Sequence, residues 1–256
     1  MSGGAERLVV VSVSAPAAAA EELRAAALEL VPAGFEEVED DGVVTLRLYV
    51  DAGRAELVET VFAQSSSVSL APGWENGWRA FHRPVRAGGV WVGPPWEAAP
   101  PVGPSVVIDP GLAFGTGAHP TTRLCLELLA SLPRGALLDV GCGSGVLALA
   151  AVRLGFAPVL AIDDDPVAVA VARANASANE IALEVCEVDA AEGPLPEADV
   201  SVANILLGAV ERVLPNVRSS LVVTSGYLGG ERPRAPGWDW IRSREQEGWA
   251  ADLFRR

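Results

Sequence analysis

Lysine is absent from the 256 residues, and all nineteen basic side chains are arginine. That excludes Schiff-base chemistry on a lysine amine and the phosphate-binding G-K-[S/T] loop. Histidine is almost as scarce, so only His82 and His119 can titrate as imidazoles near neutrality. Cysteine occurs three times, at Cys125, Cys142 and Cys186, with no C-x-x-C pair. A disulfide framework or a zinc site is therefore not expected, and no metal is assigned. Long apolar runs are missing too: none approaches the ~20 residues that span a bilayer. The opening MSGGAERLVVVSV lacks the basic start and long apolar core of a secretory signal. A cytoplasmic protein with no membrane attachment is expected.

Half of the residues are apolar, enough for a full α/β domain with a smaller companion. The formal net charge is −14. Such a surface disfavours a nucleic-acid backbone, which wants a basic face, so no direct nucleic-acid partner is expected. It suits a basic protein through complementary fields. The same charge also serves simply to keep a protein dispersed, and charge alone does not separate the two readings.

Three regions follow one another along the chain. In residues 1–72, RLVVVSV, FEEVED and VVTLRLYV read as strands. PAAAAEELRAAALEL and AGRAELVETVF read as helices, the first with Leu23, Ala27 and Leu30 on one face, and SVSL reads as a last short strand. The order βαββα(β) predicts a small α+β, ferredoxin-like unit. Residues 73–104 carry four of the seven tryptophans among prolines and glycines, which predicts an ordered connector with a short VWV strand. Residues 105–256 alternate, with strands expected at 136–140, 159–162, 183–188, 200–203 and 220–225 and helices at 121–132, 145–155, 166–179 and 208–218. That alternation predicts a parallel, Rossmann-like α/β sheet covered on both faces. WDWIRSREQEGWAADLFRR reads as two strands joined by a tight turn.

Within this last region, LLDVGCGSGVLALAA runs an apolar strand past Asp139 into Gly141, Gly143 and Gly145, then into a helix. Small residues there let a ligand lie on the turn beside the helix N-terminus. The G-x-G-x-G spacing with an upstream acid is not the dinucleotide fingerprint. It resembles motif I of S-adenosylmethionine-dependent methyltransferases, whose cationic ligand tolerates a nearby carboxylate. Asp163, ending the next strand, can accept hydrogen bonds from two ribose hydroxyls. Asp165 suits the cap of the helix opened by Pro166, and Asp164 suits solvent. Asp189 follows the third strand, where an adenine would sit. Asn204 ends the fourth strand, and its carbonyl can take an incoming N–H. Each has a plainer reading as well: a structural turn for the glycines, a turn-stabilising amide for Asn204.

Just upstream, DPGLAFGTGAHPTTRLCLELL passes Phe114 and enters a helix at Pro120. Thr122 falls in the first turn, where free backbone N–H groups gather to hold a carboxylate. Phe114, Thr116 and His119 are candidates to close over the site, although His119, preceding Pro120, is equally suited to shaping the helix entry.

These segments, with AIDDDP, ARANASANE and VANIL in the same order, resemble the ribosomal protein L11 methyltransferase family. WENGWRAFHRPVRAGGVWVGPPWE is similar to that family's linker, so the likeness runs from about Trp74 to Pro215. It implies a Rossmann-like class I methyltransferase domain behind a small substrate-recognising domain. The cofactor implied is S-adenosyl-L-methionine, and the partner a basic ribosomal protein of the large subunit. Methyl groups would go to lysine ε-amines and an N-terminal α-amine. Thr122, Gly141, Asp163 and Asn204 are the cofactor-contacting positions by motif match; Asp139, Gly143 and Asp189 join them from the residue-level reading. Asn204, Phe114, Thr116 and His119 would serve the transfer itself, without a dedicated general base. A monomer is expected. The chain departs from the family at ERPRAP, whose two prolines leave room for little more than a turn. Two alternatives stand beside this reading. One is a nucleic-acid adenine methyltransferase, which would carry N-P-P-[Y/F] where NILL stands; the other is a non-catalytic adenosine-binding module.

Overall fold

Val9, Val11 and Val13 are buried, the two-residue period of a strand with one covered face. The computed structural model describes residues 8–31, 35–40, 42–62, 65–69, 83–109, 115 and 117–256. Contacts divide the chain into two units, Met1–Phe81 and His82–Arg256.

In the first unit the strands are β1 (Leu8–Pro16), β2 (Glu36–Asp40), β3 (Val43–Asp51) and β4 (Ser66–Ser69), and the helices α1 (Ala20–Leu30) and α2 (Ala52–Val61). The strands pair antiparallel in the order β2-β3-β1-β4. With the chain order βαββαβ, this is the connectivity of a ferredoxin-like sandwich. Val44, Leu46 and Leu48 from the sheet share a core with Leu23, Ala27, Ala55 and Val58 from the helices.

The second unit begins with a three-stranded sheet of β5 (Val85–Ala87), β6 (Val90–Gly93) and β7 (Ser105–Val107). The connector expected at 73–104 lies partly outside the described residues. Its described part carries β5 and β6, and Trp91, Val90 and Val92 are buried. Beyond it come α3 (Pro120–Ala130), β8 (Leu137–Val140), α4 (Val146–Leu154), β9 (Val159–Asp163), α5 (Pro166–Ala178), β10 (Glu184–Glu187), β11 (Glu197–Asn204), α6 (Leu207–Val213), β12 (Arg218–Leu228), β13 (Asp239–Gln246) and β14 (Trp249–Arg255). Helix α6 is shorter than the 208–218 expected. A 3₁₀ turn, Leu214–Asn216, replaces its end because Pro215 cannot continue the ladder. The segment 229–238 contains turns and no helix, as its prolines require.

The main sheet runs β10-β9-β8-β11-β12-β14-β13. Its first five strands are parallel, and β14 lies antiparallel between β12 and β13. Both faces are covered. Leu137, Val202 and Val223 join the core under α3 and α4, whereas their neighbours Leu138, Ala203 and Val222 join the core with α6. Strand order reverses between β8 and β11, which opens a crevice at their carboxyl ends. The molecule is thus a mixed α/β chain, an open doubly wound sheet accompanied by a separate α+β unit.

Two details of the last strands matter below. Strand β12 shifts register against β14 between Ser225 and Tyr227, and Gly226 in between has φ +103°. The β13–β14 turn places Glu247 and Gly248 at φ +51° and +80°, the paired left-handed residues of a tight hairpin. From that hairpin Glu247 meets Arg123 at 2.7 Å, and Arg244 meets Glu127 at 2.8 Å, both on α3.

Candidate active site

The first glycine loop follows β8. Gly141, Gly143 and Gly145 all have positive φ (+69°, +53° and +78°), the region glycine enters without a side-chain penalty. The backbone N–H groups of Gly141 and Cys142 both donate to the Ile162 carbonyl, at 2.9 and 3.0 Å. Gly143 donates to Asp163 Oδ2 at 2.8 Å, and Asp165 donates to Asp163 Oδ1 at 3.0 Å. The Asp163 carboxylate therefore ties the end of β9 to the glycine loop. Burial raises its pKa, and these two N–H groups work against the rise. Asp165 then caps α5, accepting from Val167 N–H at 2.8 Å.

Asp139 lies beneath this loop and is 1% exposed. Its Oδ2 accepts from the Ala148 N–H at 2.9 Å, satisfying a donor in the first turn of α4. Burial, with a contribution from nearby Asp163, pushes its pKa up to about 7 despite that hydrogen bond. Asp189 is exposed, and its Oδ1 accepts from Ala191 N–H at 2.8 Å in the turn after β10.

The second glycine-rich segment is fastened to the first. Ser144 Oγ donates to the Gly115 carbonyl at 2.6 Å. Asn175, on α5 and 4% exposed, donates from Nδ2 to the Ser144 carbonyl at 2.9 Å and accepts from Asp109 N–H at 3.3 Å. One turn on, Asn179 brackets Val107, accepting from its N–H at 2.7 Å and donating to its carbonyl at 2.6 Å. Residue-level reading of the sequence gave neither asparagine a role. The signal was two amides four residues apart on an alanine-rich helix, a spacing that puts both on one face. Phe114 and Thr116 lie outside the described residues.

At the mouth of β11, Asn204 donates from Nδ2 to Thr122 Oγ1 at 3.4 Å. Its Oδ1 is buried and has no hydrogen-bond partner among the described residues. Thr122 is fully buried in the first turn of α3. His119 caps that helix: its Nδ1 receives the Thr121 N–H at 3.4 Å and lies within hydrogen-bond distance, 2.7 Å, of the Thr121 hydroxyl. Its ring stands edge-on to Trp249, with centroids 4.7 Å apart. Burial, helped by the Arg123 charge and opposed by Glu247, lowers its pKa to about 4 and keeps the ring neutral at pH 7. The fold thus brings Thr122, Asp139, Gly141, Gly143, Asp163 and Asn204 to the carboxyl ends of adjoining strands.

The family model for "Ribosomal protein L11 methyltransferase (PrmA)" matches residues 21–251. A ribosomal protein L11 methyltransferase from Pelobacter propionicus is 36% identical over 270 residues, spanning 92% of this chain and 84% of that relative. Its counterpart from Symbiobacterium thermophilum is 44% identical over 199 residues, 70% of this chain and 64% of its own length. Among solved structures, the ribosomal protein L11 methylase of Lactobacillus delbrueckii subsp. bulgaricus superposes with a TM-score of 0.60 at 26% identity. That match covers 68% of this chain and 99% of the other.

Proposed function

The chain belongs to the ribosomal protein L11 methyltransferase family, and from that premise we propose that it moves methyl groups from S-adenosylmethionine onto amines of a large-subunit ribosomal protein. The acceptors are lysine ε-amines and an N-terminal α-amine, and the first unit recognises the protein that carries them. The observation behind this reading is Asn204 Oδ1, a buried acceptor with no partner among the described residues, at the crevice beside the glycine loop. A buried polar atom without a partner is costly, so it points to a ligand group that completes it.

The residues present fit the methyl donor. Gly141 and Gly143 take left-handed conformations that fold the loop beside the crevice, and the Asp163 oxygens keep lone pairs for ribose hydroxyls beyond the two N–H bonds they already accept. When bound, S-adenosylmethionine supplies an electrophilic methyl group on a cationic sulfur. The protein's own work is placement, because a bimolecular displacement gains most from alignment. Asn204 Oδ1 takes one N–H of the amine and turns the nitrogen lone pair into the crevice. Thr122 Oγ1 holds the other end of the amide, so the acceptor cannot rotate away. The amine enters neutral, since burial disfavours the ammonium form. His119 is given no proton to carry: burial lowers its basicity, and its Nδ1 caps α3 at Thr121.

Mass spectrometry of a basic large-subunit ribosomal protein after incubation with enzyme and S-adenosylmethionine should show added methyl groups on amines. Parallel RNA should remain unmodified, and transfer to RNA instead would overturn the reading. Asn204→Ala should lower kcat by about 100-fold through lost orientation. Its calorimetric Kd for S-adenosylmethionine should change little.

A further inference from the structure

The residue after Asn204 is held in an unusual seat. Ile205 donates its N–H to the Ser225 carbonyl at 3.1 Å, and its peptide group lies directly over Gly226. A Cβ built on Gly226 would fall 2.2 Å from the Ile205 carbonyl oxygen, 2.7 Å from its carbon and 3.1 Å from its nitrogen. All three are backbone atoms, which cannot swing aside as a side-chain tip does. Gly226 has φ +103° and is the residue skipped where β12 slips register against β14. Ser225 Oγ secures that bulge by donating to the Ala250 carbonyl at 2.6 Å. The Ile205 side chain is confined from the other side, because a Cβ on Gly141 would meet its Cγ2 at 2.5 Å. Bulges beside active sites commonly re-aim a neighbouring side chain.

We infer that Gly226 is a positioning residue for methyl transfer: the bulge it permits in β12 admits the Ile205 peptide and so sets where Asn204 Oδ1 stands. This rests on the reading of Asn204 as the group that orients the amine. Gly226 itself touches neither amine nor cofactor. Its effect is geometric, passing through one peptide unit to the amide that Thr122 grips from the far side. A side chain at 226 would push Ile205 away and carry Asn204 with it. The Asp163 carboxylate and Gly143, held by their own hydrogen bonds, would stay in place.

The test compares Gly226→Ala with Gly230→Ala. Gly230 also has positive φ, +89°, but nothing lies within 4 Å of its Cβ position, so it reports backbone strain alone. Thermal midpoint, S-adenosylmethionine Kd by calorimetry, and kcat and KM for the protein amine are measured for each. Since misplacement of a reacting group by about 1 Å costs about 100-fold, kcat of Gly226→Ala should fall by about that factor relative to Gly230→Ala. Cofactor Kd should stay within about threefold, a range of under 1 kcal/mol. A kcat equal to that of Gly230→Ala, or a fall matched by lost cofactor affinity, would overturn the inference. If Gly226→Ala does not fold, Ser225→Ala takes its place, loosening the bulge without filling space. It should lower kcat at unchanged cofactor Kd, and an unchanged kcat would equally overturn the inference. Asn204→Ala in the same assay separates the two readings. Full turnover in that variant sinks the role of Asn204 itself, whereas lost turnover there with none lost on altering the bulge sinks only the role of Gly226.

Discussion

Replacing Asp139 with asparagine removes an ionisable group from a site that is 1% exposed while leaving an oxygen for the Ala148 N–H. In the folded chain Asp139 titrates near 7, against an ordinary value of 3.8. At about 1.4 kcal/mol per unit, that difference corresponds to about 4 kcal/mol. Below about pH 4 the acid is protonated whether the chain is folded or not, and nothing changes with pH. Between about 4 and 7 the unfolded chain releases the proton and the folded chain keeps it, so rising pH favours unfolding. Above about 7 both forms are ionised and the loss levels off. Urea unfolding of the wild type and of Asp139→Asn, followed by tryptophan fluorescence at intervals from pH 4 to 8, isolates this contribution. Self-repulsion of the acidic surface acts on both proteins and largely cancels in the difference. Wild-type stability should decline relative to the variant by up to about 4 kcal/mol over that interval. The new amide N–H₂ adds an offset of about 1–3 kcal/mol that does not vary with pH. A difference flat from pH 4 to 8 would show that Asp139 ionises normally, and would refute the claim that burial beneath the loop controls it.

Other substitutions probe the supports of the site. Asn179→Ala strips partners from both the N–H and the carbonyl of Val107, and should cost about 2–4 kcal/mol in urea unfolding. A loss below about 1 kcal/mol would mean that solvent or a neighbour replaces those bonds. His119 titrates near 4 when folded against 6.5 ordinarily, so falling pH protonates the unfolded chain first. The His119 contribution, read as wild type relative to His119→Asn, should therefore decline as pH drops from 6.5 towards 4. His119→Asn keeps a strong capping oxygen and should abolish that decline while preserving methyl transfer at neutral pH. A stable His119→Asn protein without transfer would give the imidazole a direct part in the chemistry.

Much of the sheet was legible because its strands and helices carry opposite periods. The apolar run ending at Asp139, the capped Asp165–Pro166 start and the bounded run before Asn204 each mark an element and an end that faces the crevice. Strands β5 and β7 were not legible: three residues each, flanked by prolines and glycines, they have no period of their own and exist through pairing with β6. The early end of α6 was missed, although Pro215 marks it, since its missing N–H breaks the ladder. Residue types at the site were readable, but not the bonds they make. Asp139 looks like a ligand-facing acid from its spacing, and only the packing around it assigns it to the Ala148 N–H. Asn175, Asn179 and Gly226 act through partners between 21 and 72 residues away, and no local pattern announces such distances.

The clamp between the β13–β14 hairpin and α3 bears on how the chain is made. Arg123 and Glu247 are 124 positions apart, and Glu127 and Arg244 are 117 apart. A ribosome releases the helix bearing Thr122 long before the hairpin that braces it, at roughly 5–20 residues per second. Until then β12 is an open sheet edge and the start of α3 lacks its tryptophan and glutamate neighbours. Translation therefore delivers every strand-end residue of the crevice before the hairpin that braces α3.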